Sequence, residues 1–238
     1  MDLVVNKNSI KRFLGIISLS GEHQIREALI SIKKDSISSL VKSPTNTIGI
    51  SAVLKGKFTD LDEIGVDDLS LFESSLGIQD KDEVAIKIKE NKLSITSNKT
   101  KASLILRKPD YIKNKPKEED FKKYVTAGSG NEFTLTEEEI DKIMKAYNLI
   151  KSDNINIYSE DGKSIKFRFG RMDNEIETEV DLKNDVTPFK TNVSSFILFI
   201  LNFLGEATVS IKQDCPTIIV TNKKDGLEVT YVIAISGK

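Results

Sequence analysis

Cysteine and histidine are almost missing from this sequence: Cys215 and His23 are single copies among 238 residues. One thiol cannot build an internal disulfide framework. With no secretory leader at the start, the chain is expected in a reducing, intracellular compartment. One histidine, with no second His or Cys at ligand spacing, excludes the common zinc arrangements, and His23 reads as an ordinary surface residue. Net charge is also small. Lys and Arg total 35 against 36 Asp and Glu, a formal charge of −1. That excludes a generically basic nucleic-acid binder, so a polyanion would need a local cationic patch. The apolar run Phe196–Leu204 falls far short of the roughly 20 residues that cross a bilayer. Phosphate-binding glycine loops are lacking too: Gly128-Ser-Gly-Asn has no lysine and does not lie between a strand and a helix. The carboxylates of Glu137-Glu-Glu are adjacent in sequence, so they splay around a helix instead of converging, and they suit the positive end of its macrodipole. No catalytic set, metal or cofactor is implied. The chain reads as a binding or scaffolding protein, not an enzyme.

What is present is one module written twice. The first copy runs Asp67-Asp-Leu-Ser-Leu-Phe-Glu-Ser-Ser-Leu-Gly, then Val84-Ala-Ile-Lys-Ile-Lys, Leu93-Ser-Ile-Thr-Ser-Asn-Lys and Ala102-Ser-Leu-Ile-Leu. The second runs Asn192-Val-Ser-Ser-Phe-Ile-Leu-Phe-Ile-Leu-Asn-Phe-Leu-Gly, then Val209-Ser-Ile-Lys, Ile218-Ile-Val-Thr-Asn-Lys and Val229-Thr-Tyr-Val-Ile. Each is a helix followed by three short alternating strands, and the repeat is the size of a small domain.

Upstream of each copy the pattern also repeats. A helix is expected over Asn8–Ser18, where Ile10, Phe13, Leu14 and Ile17 form one stripe and Lys7, Asn8, Lys11 and Arg12 fall toward the other face. Strands follow at Ala28–Lys33, Ser36–Val41 and Thr47–Lys55. A short one around Lys57–Asp60 precedes the helix Asp67–Leu76, which buries Leu69, Phe72 and Leu76. Residues 110–131 are polar, proline-broken and glycine-rich, and read as the linker between domain one (1–109) and domain two (132–238). Domain two opens with Thr136 and, three residues on, Glu139, a capping-box pattern. Its helix, Glu137–Ile150, buries Ile140, Ile143, Met144 and Tyr147, with Lys142 and Lys145 opposite. Strands at Asn154–Ser159, Ser164–Arg171 and Glu175–Leu182 come before the helix Phe196–Leu204. The expected class is α+β, two similar domains each with two helices packed on antiparallel sheet.

The C-terminal run is the sharpest local feature: Asp214-Cys-Pro-Thr-Ile-Ile-Val, a polar turn with Asp225-Gly, then Val229-Thr-Tyr-Val-Ile-Ala. It is similar to the Asp-x-Pro-apolar strand, glycine turn and Tyr-ending last strand of nuclear-antigen clamps, and Asn202-Phe203 sits where their last helix carries Asn-Phe. Together with the duplicated order and the linker, the chain resembles DNA sliding clamps of the proliferating-cell-nuclear-antigen type, and their shorter tailed-phage counterparts, over nearly its whole length.

That resemblance implies a DNA-clamp fold assembling into a ring: three subunits, head to tail, with helices lining a hole and sheets outside. Such a homotrimer is a processivity factor for DNA polymerase, and the short chain points to a phage or virus. It would work wherever viral or host DNA replicates, such as the cytoplasm of a bacterial host, with no membrane partner. Contacts to double-stranded DNA would go to phosphates without reading sequence, from Lys7, Lys11, Arg12, Lys142 and Lys145. The subunit joint would pair edge strands at Thr100–Arg107 and Glu175–Leu182, setting Lys101 and Arg107 against Glu175, Glu177, Glu179 and Asp181. Polymerase and other clamp-binding peptides would dock in a groove at Val41, Pro44, Pro216, Tyr231, Val232 and Ala234. With no nucleotide site in the sequence, opening the ring falls to a separate ATP-driven clamp loader.

The second helix of each domain departs from this pattern. Asp67–Leu76 has no lysine. In Phe196–Leu204, placing Phe196, Phe199 and Phe203 in the core turns Ile197, Leu198 and Leu201 toward the hole. The alternative is a clamp-fold scaffold or transcription cofactor with weak or no DNA enclosure. A third reading, an enzyme on a duplicated α+β fold, would need a convergent polar pocket for which the sequence supplies no residues.

Overall fold

The structure, a computed structural model, describes residues 2–127, 130–171, 174–212 and 215–235. Asp214 of the C-terminal run and Gly128-Ser129 of the linker lie outside the described residues. The chain divides into two units, Met1–Phe121 with Lys223–Thr230, and Lys122–Asn222 with Tyr231–Lys238.

Unit one holds β1 (Asp2–Asn6), α1 (Lys7–Ser18), β2 (Ala28–Lys33), β3 (Ser36–Lys42), β4 (Ile48–Lys55), β5 (Leu61–Val66), α2 (Leu69–Gly77), β6 (Glu83–Lys89), β7 (Lys92–Ser97) and β8 (Thr100–Ile105). Two antiparallel sheets result, in the orders β1-β6-β7-β8 and β5-β2-β3-β4. Alternation drives them: in β4, Ile48, Ile50, Ala52 and Leu54 point inward and their neighbours outward. The α1 stripe of Ile10, Phe13, Leu14 and Ile17 is buried as expected, with Ile16 added. Asn6 caps α1, its side-chain oxygen accepting from the N–H groups of Asn8 and Ser9. Asp68 caps α2 in the same way through the N–H of Leu71.

Unit two holds β9 (Gly130–Leu135), α4 (Glu137–Ile150), β10 (Asn154–Ser159), β11 (Ser164–Arg171), β12 (Asn174–Asp181), β13 (Phe189–Ser194), α5 (Phe196–Leu204) and β14 (Ala207–Lys212). The α3 label belongs to Glu118–Thr126, which straddles the two units. The first sheet runs β12-β11-β10-β13. The second has β14 between β9 and β15 (Thr217–Lys224). The last strand, β16 (Leu227–Ala234), gives its first half to unit one and its second to unit two. The capping box forms as read: Thr136 Oγ1 accepts from Glu139 N–H, and the Glu139 carboxylate accepts from Thr136 N–H at 2.7 Å.

Four expectations need correcting. The strand sought at Lys57–Asp60 lies later, at β5, where Ile64 and Val66 are buried and pair with β2 across a bulge. Gly65 inside β5 answers a close approach: a Cβ there would sit 2.4 Å from Arg107 O. Strands β1 and β13 were not anticipated. β13 inserts only Val193 into the core, so it has little apolar alternation, and its pairing with β10 defines it. The linker stretch holds a 3-10 turn, Pro109–Tyr111, and α3, because Phe121 is buried over Gly49 of β4. His23 is only 7% exposed, its Nδ1 3.2 Å from Thr45 Oγ1.

Candidate nucleic-acid and subunit interfaces

The cations of α1 are half-buried and turned toward protein. Lys7 Nζ donates to Gln79 O at 2.8 Å, just beyond the last turn of α2. Lys11 Nζ lies beside Gly77, the final residue of that helix. Both sit at the negative end of the α2 dipole, where a cation is stabilised by about 0.3–1 kcal/mol. Arg12 Nη1 pairs with Asp225 Oδ2 at 3.1 Å. In unit two, Lys142 Nζ donates to the backbone oxygen of Glu179 at 2.9 Å. Lys145 is exposed and has no polar partner among the described residues. A phosphate would thus have to compete for Lys7, Arg12 and Lys142.

Helix α5 is rotated opposite to expectation. Ile197, Leu198, Ile200, Leu201 and Leu204 form its buried side, while Phe199 and Phe203 are 48% and 50% exposed. Five aliphatic side chains fill the core, at roughly 1.5–3 kcal/mol each. The Phe199 ring is held edge-on by Tyr147, with centroids 6.1 Å apart.

Strands β8 and β12 are both sheet edges, where the sequence placed them. Hydrogen bonds just beyond each strand fix which backbone groups face outward. Leu106 N–H donates to Asn91 O at 2.6 Å, so the bonded pairs of β7 and β8 fall at every second residue. Ala102 and Leu104 therefore bond inward, while Lys101, Ser103 and Ile105 turn their N–H and C=O to the open edge. Leu182 N–H donates to Lys163 O at 2.8 Å, and the same alternation turns Glu175, Glu177, Glu179 and Asp181 outward on β12. The side chains of these β12 residues are exposed, as on β8 are those of Lys101, Ser103 and Ile105, the last 74% exposed. Ser103 and Ile105 lie within the expected edge Thr100–Arg107 but were not named for the joint. The signal was parity with Lys101.

The charges named for the joint are partly engaged inside the subunit. Arg107 lies beyond the end of β8, bridged to Gly65 and ion-paired with Glu27 at 2.9 Å and Asp67 at 3.6 Å. Glu177 accepts from the Tyr158 hydroxyl and from Arg168 Nε at 3.0 Å. The Tyr158 bond is the largest cause holding the Glu177 carboxyl below its ordinary range, and Arg168 reinforces it. Glu179 accepts from the Ser164 hydroxyl, and Glu175 lies 3.9 Å from Arg168. Lys101 is exposed on the edge.

The groove residues separate by burial. Val41, Tyr231 and Val232 belong to the core, so no docked peptide reaches them directly. Burial also pushes the Tyr231 hydroxyl far above its ordinary pKa. Pro44 is exposed in the β3–β4 turn of unit one. In unit two, Pro216 and Ala234 are exposed and come together, since Ile235 N–H donates to Pro216 O at 2.7 Å. Among the described residues no three His, Cys, Asp or Glu side chains cluster to hold a metal, and no helix is long and apolar enough to cross a membrane.

No family model matches the sequence, and no curated protein sequence matches it. Solved structures do. The PCNA of Entamoeba histolytica superposes with a TM-score of 0.78 at 13% identity, covering 99% of this chain and 98% of that one. The structure of the C-terminal region of FEN-1 bound to A. fulgidus PCNA matches at 0.76 and 15% identity, over 100% of this chain and 98% of the other. The chain has the sliding-clamp fold. The β subunit of DNA polymerase III from Thermotoga maritima also matches over all of this chain, but over 65% of its own length, at 0.76 and 10% identity. The sliding-clamp fold thus covers both halves of the chain, as the duplicated pattern implied.

Proposed function

We propose that this protein is a non-enzymatic DNA sliding clamp, a head-to-tail ring that encloses duplex DNA and tethers DNA polymerase. The observation that carries the reading is the pair of open strand edges on a full-length clamp fold. β8 and β12 each leave alternate backbone groups outside their own ladders, Glu179 O being held by Lys142 Nζ, with Lys101 on one and a row of four carboxylates on the other. An antiparallel β8–β12 joint between copies would satisfy those groups and remove two aggregation-prone edges. Phosphate contacts fall to Lys11 and Lys145 first, with Lys7, Arg12 and Lys142 recruited from their internal partners. The A. fulgidus PCNA structure holds the C-terminal region of FEN-1. By analogy, partner peptides would dock here near Pro216 and Ala234 of unit two. An ATP-driven loader would be a separate protein.

A second reading, a clamp-fold scaffold with weak DNA enclosure, is favoured by the engaged cations and by the uncharged, aromatic outer face of α5. Light scattering over a dilution series, followed by retention on circular against linear duplex, separates them. A species of three times the 26.6 kDa chain, retained on circles and released from linear ends, is expected for the clamp. A strict monomer at micromolar concentration would refute ring closure. A ring that ignores DNA topology, and is unchanged by alanine at Lys11, Arg12, Lys142 and Lys145, would establish the scaffold.

A further inference from the structure

Lys142 holds a group that the proposed ring joint also needs. It stands in the second turn of α4, exposed, while Ile140 and Ile143 beside it are buried. Helix α4 packs against β11 and β12, which brings this side chain to the rim of their sheet. There Lys142 Nζ donates to the backbone oxygen of Glu179 at 2.9 Å. The ladder fixes where that oxygen points. Leu182 N–H donates to Lys163 O, so Thr178 and Val180 bond back to β11, and Glu179 turns its N–H and C=O to the open edge. The Glu179 carboxylate is occupied separately, by the Ser164 hydroxyl. Four carboxylates line this edge, yet among the described residues Lys142 pairs with none of them and takes the main-chain oxygen instead.

We propose that Lys142 is a latch on the β12 edge: it caps Glu179 O in the free subunit, and closing the joint displaces it into the hole, where it meets phosphate. The inference rests on the clamp reading. Any antiparallel register that sets Glu179 opposite an outward residue of β8, whether Lys101, Ser103 or Ile105, sends that residue's N–H to the same oxygen. Two donors then compete for one acceptor. The ammonium is the one free to swing away, on a flexible four-carbon stem. Until the correct edge arrives, a lysine there also blunts unwanted strand pairing. The coupling is reciprocal: closure frees a cation for DNA, so DNA favours closure by the same factor. Lys145, three residues on and without a polar partner among the described residues, is available to phosphate in either state and carries no such coupling.

The test measures the dissociation constant of the joint without DNA, by light scattering of the full chain over a dilution series. The parent is compared with Lys142→Met, Lys142→Arg and Lys145→Met. Methionine keeps most of the side-chain length and cannot donate. Lys142→Met is expected to tighten the joint about three- to tenfold, the range of one modest hydrogen bond. That gain should persist in about 1 M salt, where the Debye length is about 3 Å. Lys142→Arg keeps the donor and should behave as the parent, and Lys145→Met should leave the joint unchanged. Added duplex DNA should tighten the parent joint more than the Lys142→Met joint. A second reading comes from amine labelling mapped by mass spectrometry: Lys142 should react faster in the assembled ring than in dilute subunits. Equal joints in the parent and Lys142→Met, a gain lost in high salt, or unchanged Lys142 labelling each overturns the latch. Ring mass in the parent judges the clamp reading separately. If the parent and every variant stay monomeric at micromolar concentration, that reading falls and the latch with it. A ring indifferent to Lys142→Met removes the latch alone.

Discussion

Proline at Ser103 should open the ring without unfolding the subunit, whereas proline one residue earlier should do the reverse. The N–H of Ser103 faces the open edge of β8, so proline there removes no bond from the subunit's own sheet. Ala102 before it is already extended, as a residue preceding proline prefers. The cost to the isolated subunit is about 1 kcal/mol or less; the long Ser94–Ser103 hydroxyl contact, 3.4 Å and exposed, adds little. At the joint, Lys101, Ser103 and Ile105 offer three N–H and three C=O groups. Losing one N–H forfeits about 1 kcal/mol and strands a partner carbonyl at about 1–3 kcal/mol more. The sum, about 2–4 kcal/mol, corresponds to roughly 30- to 700-fold in the dissociation constant of the joint. Ala102→Pro instead breaks the inward bond to Ile95 and strands its carbonyl, at about 2–4 kcal/mol, a fall of roughly 4–16 °C in melting temperature. Light scattering across a dilution series and calorimetry on the same samples provide both readings. If Ser103→Pro dissociates no sooner than the parent ring while Ala102→Pro melts early as expected, β8 is not the joint and the edge argument fails.

Three further outcomes follow from single residues. Thr136→Ala removes the N-cap of α4 and should cost about 1 kcal/mol, seen as a shift of roughly 2–4 °C in thermal unfolding; no shift would mean that the cap is idle. Glu177 titrates below its ordinary value of 4.5 because of Tyr158 first and Arg168 second. A carboxyl whose native pKa lies below its unfolded one binds fewer protons when folded, so its stabilisation is full above pH 4.5 and fades as pH falls through the native value. Glu177→Gln should therefore flatten the acid limb of melting temperature against pH while changing its slope little above pH 6; an unchanged acid limb would refute the linkage. Gly65→Ala places a Cβ 2.4 Å from Arg107 O and should destabilise unit one by about 1–3 kcal/mol, measured by urea unfolding; a neutral result would show that β5 and Arg107 separate freely.

Legibility followed the kind of information each element depends on. α4 was readable to its ends because Thr136, Glu139 and the Ile140-Ile143-Tyr147 stripe are all local signals. β4 and β8 were readable because their alternation is local too, and the edge status of β8 and β12 followed from their place at the ends of their hairpin series. α5 was read with the wrong rotation. When nearly every residue is apolar, the wheel has no polar side to exclude, and Asn202 was the one mark of the solvent face, shared with Phe199. β13 and β5 were missed or displaced because strand partners define them: β10 recruits Phe189–Ser194, which has one inward apolar residue, and β2 holds Leu61–Val66 through a bulge.

The candidate site divides along the same line. Residue types and periods by themselves determined two α+β modules, the Thr136–Glu139 cap of α4, the faces bearing Lys11 and Lys145, and the strands that end as edges, because each depends on neighbours a few positions away. Tertiary structure alone decided that Lys7 lies against the end of α2, that Arg12 pairs with Asp225, that Arg107 pairs with Glu27 and Asp67, and that Val41 and Tyr231 are core. It also decided that α5 shows phenylalanine to solvent. A charge has no fixed partner until distant segments meet, and a uniformly apolar helix has no fixed orientation until one side is chosen for burial.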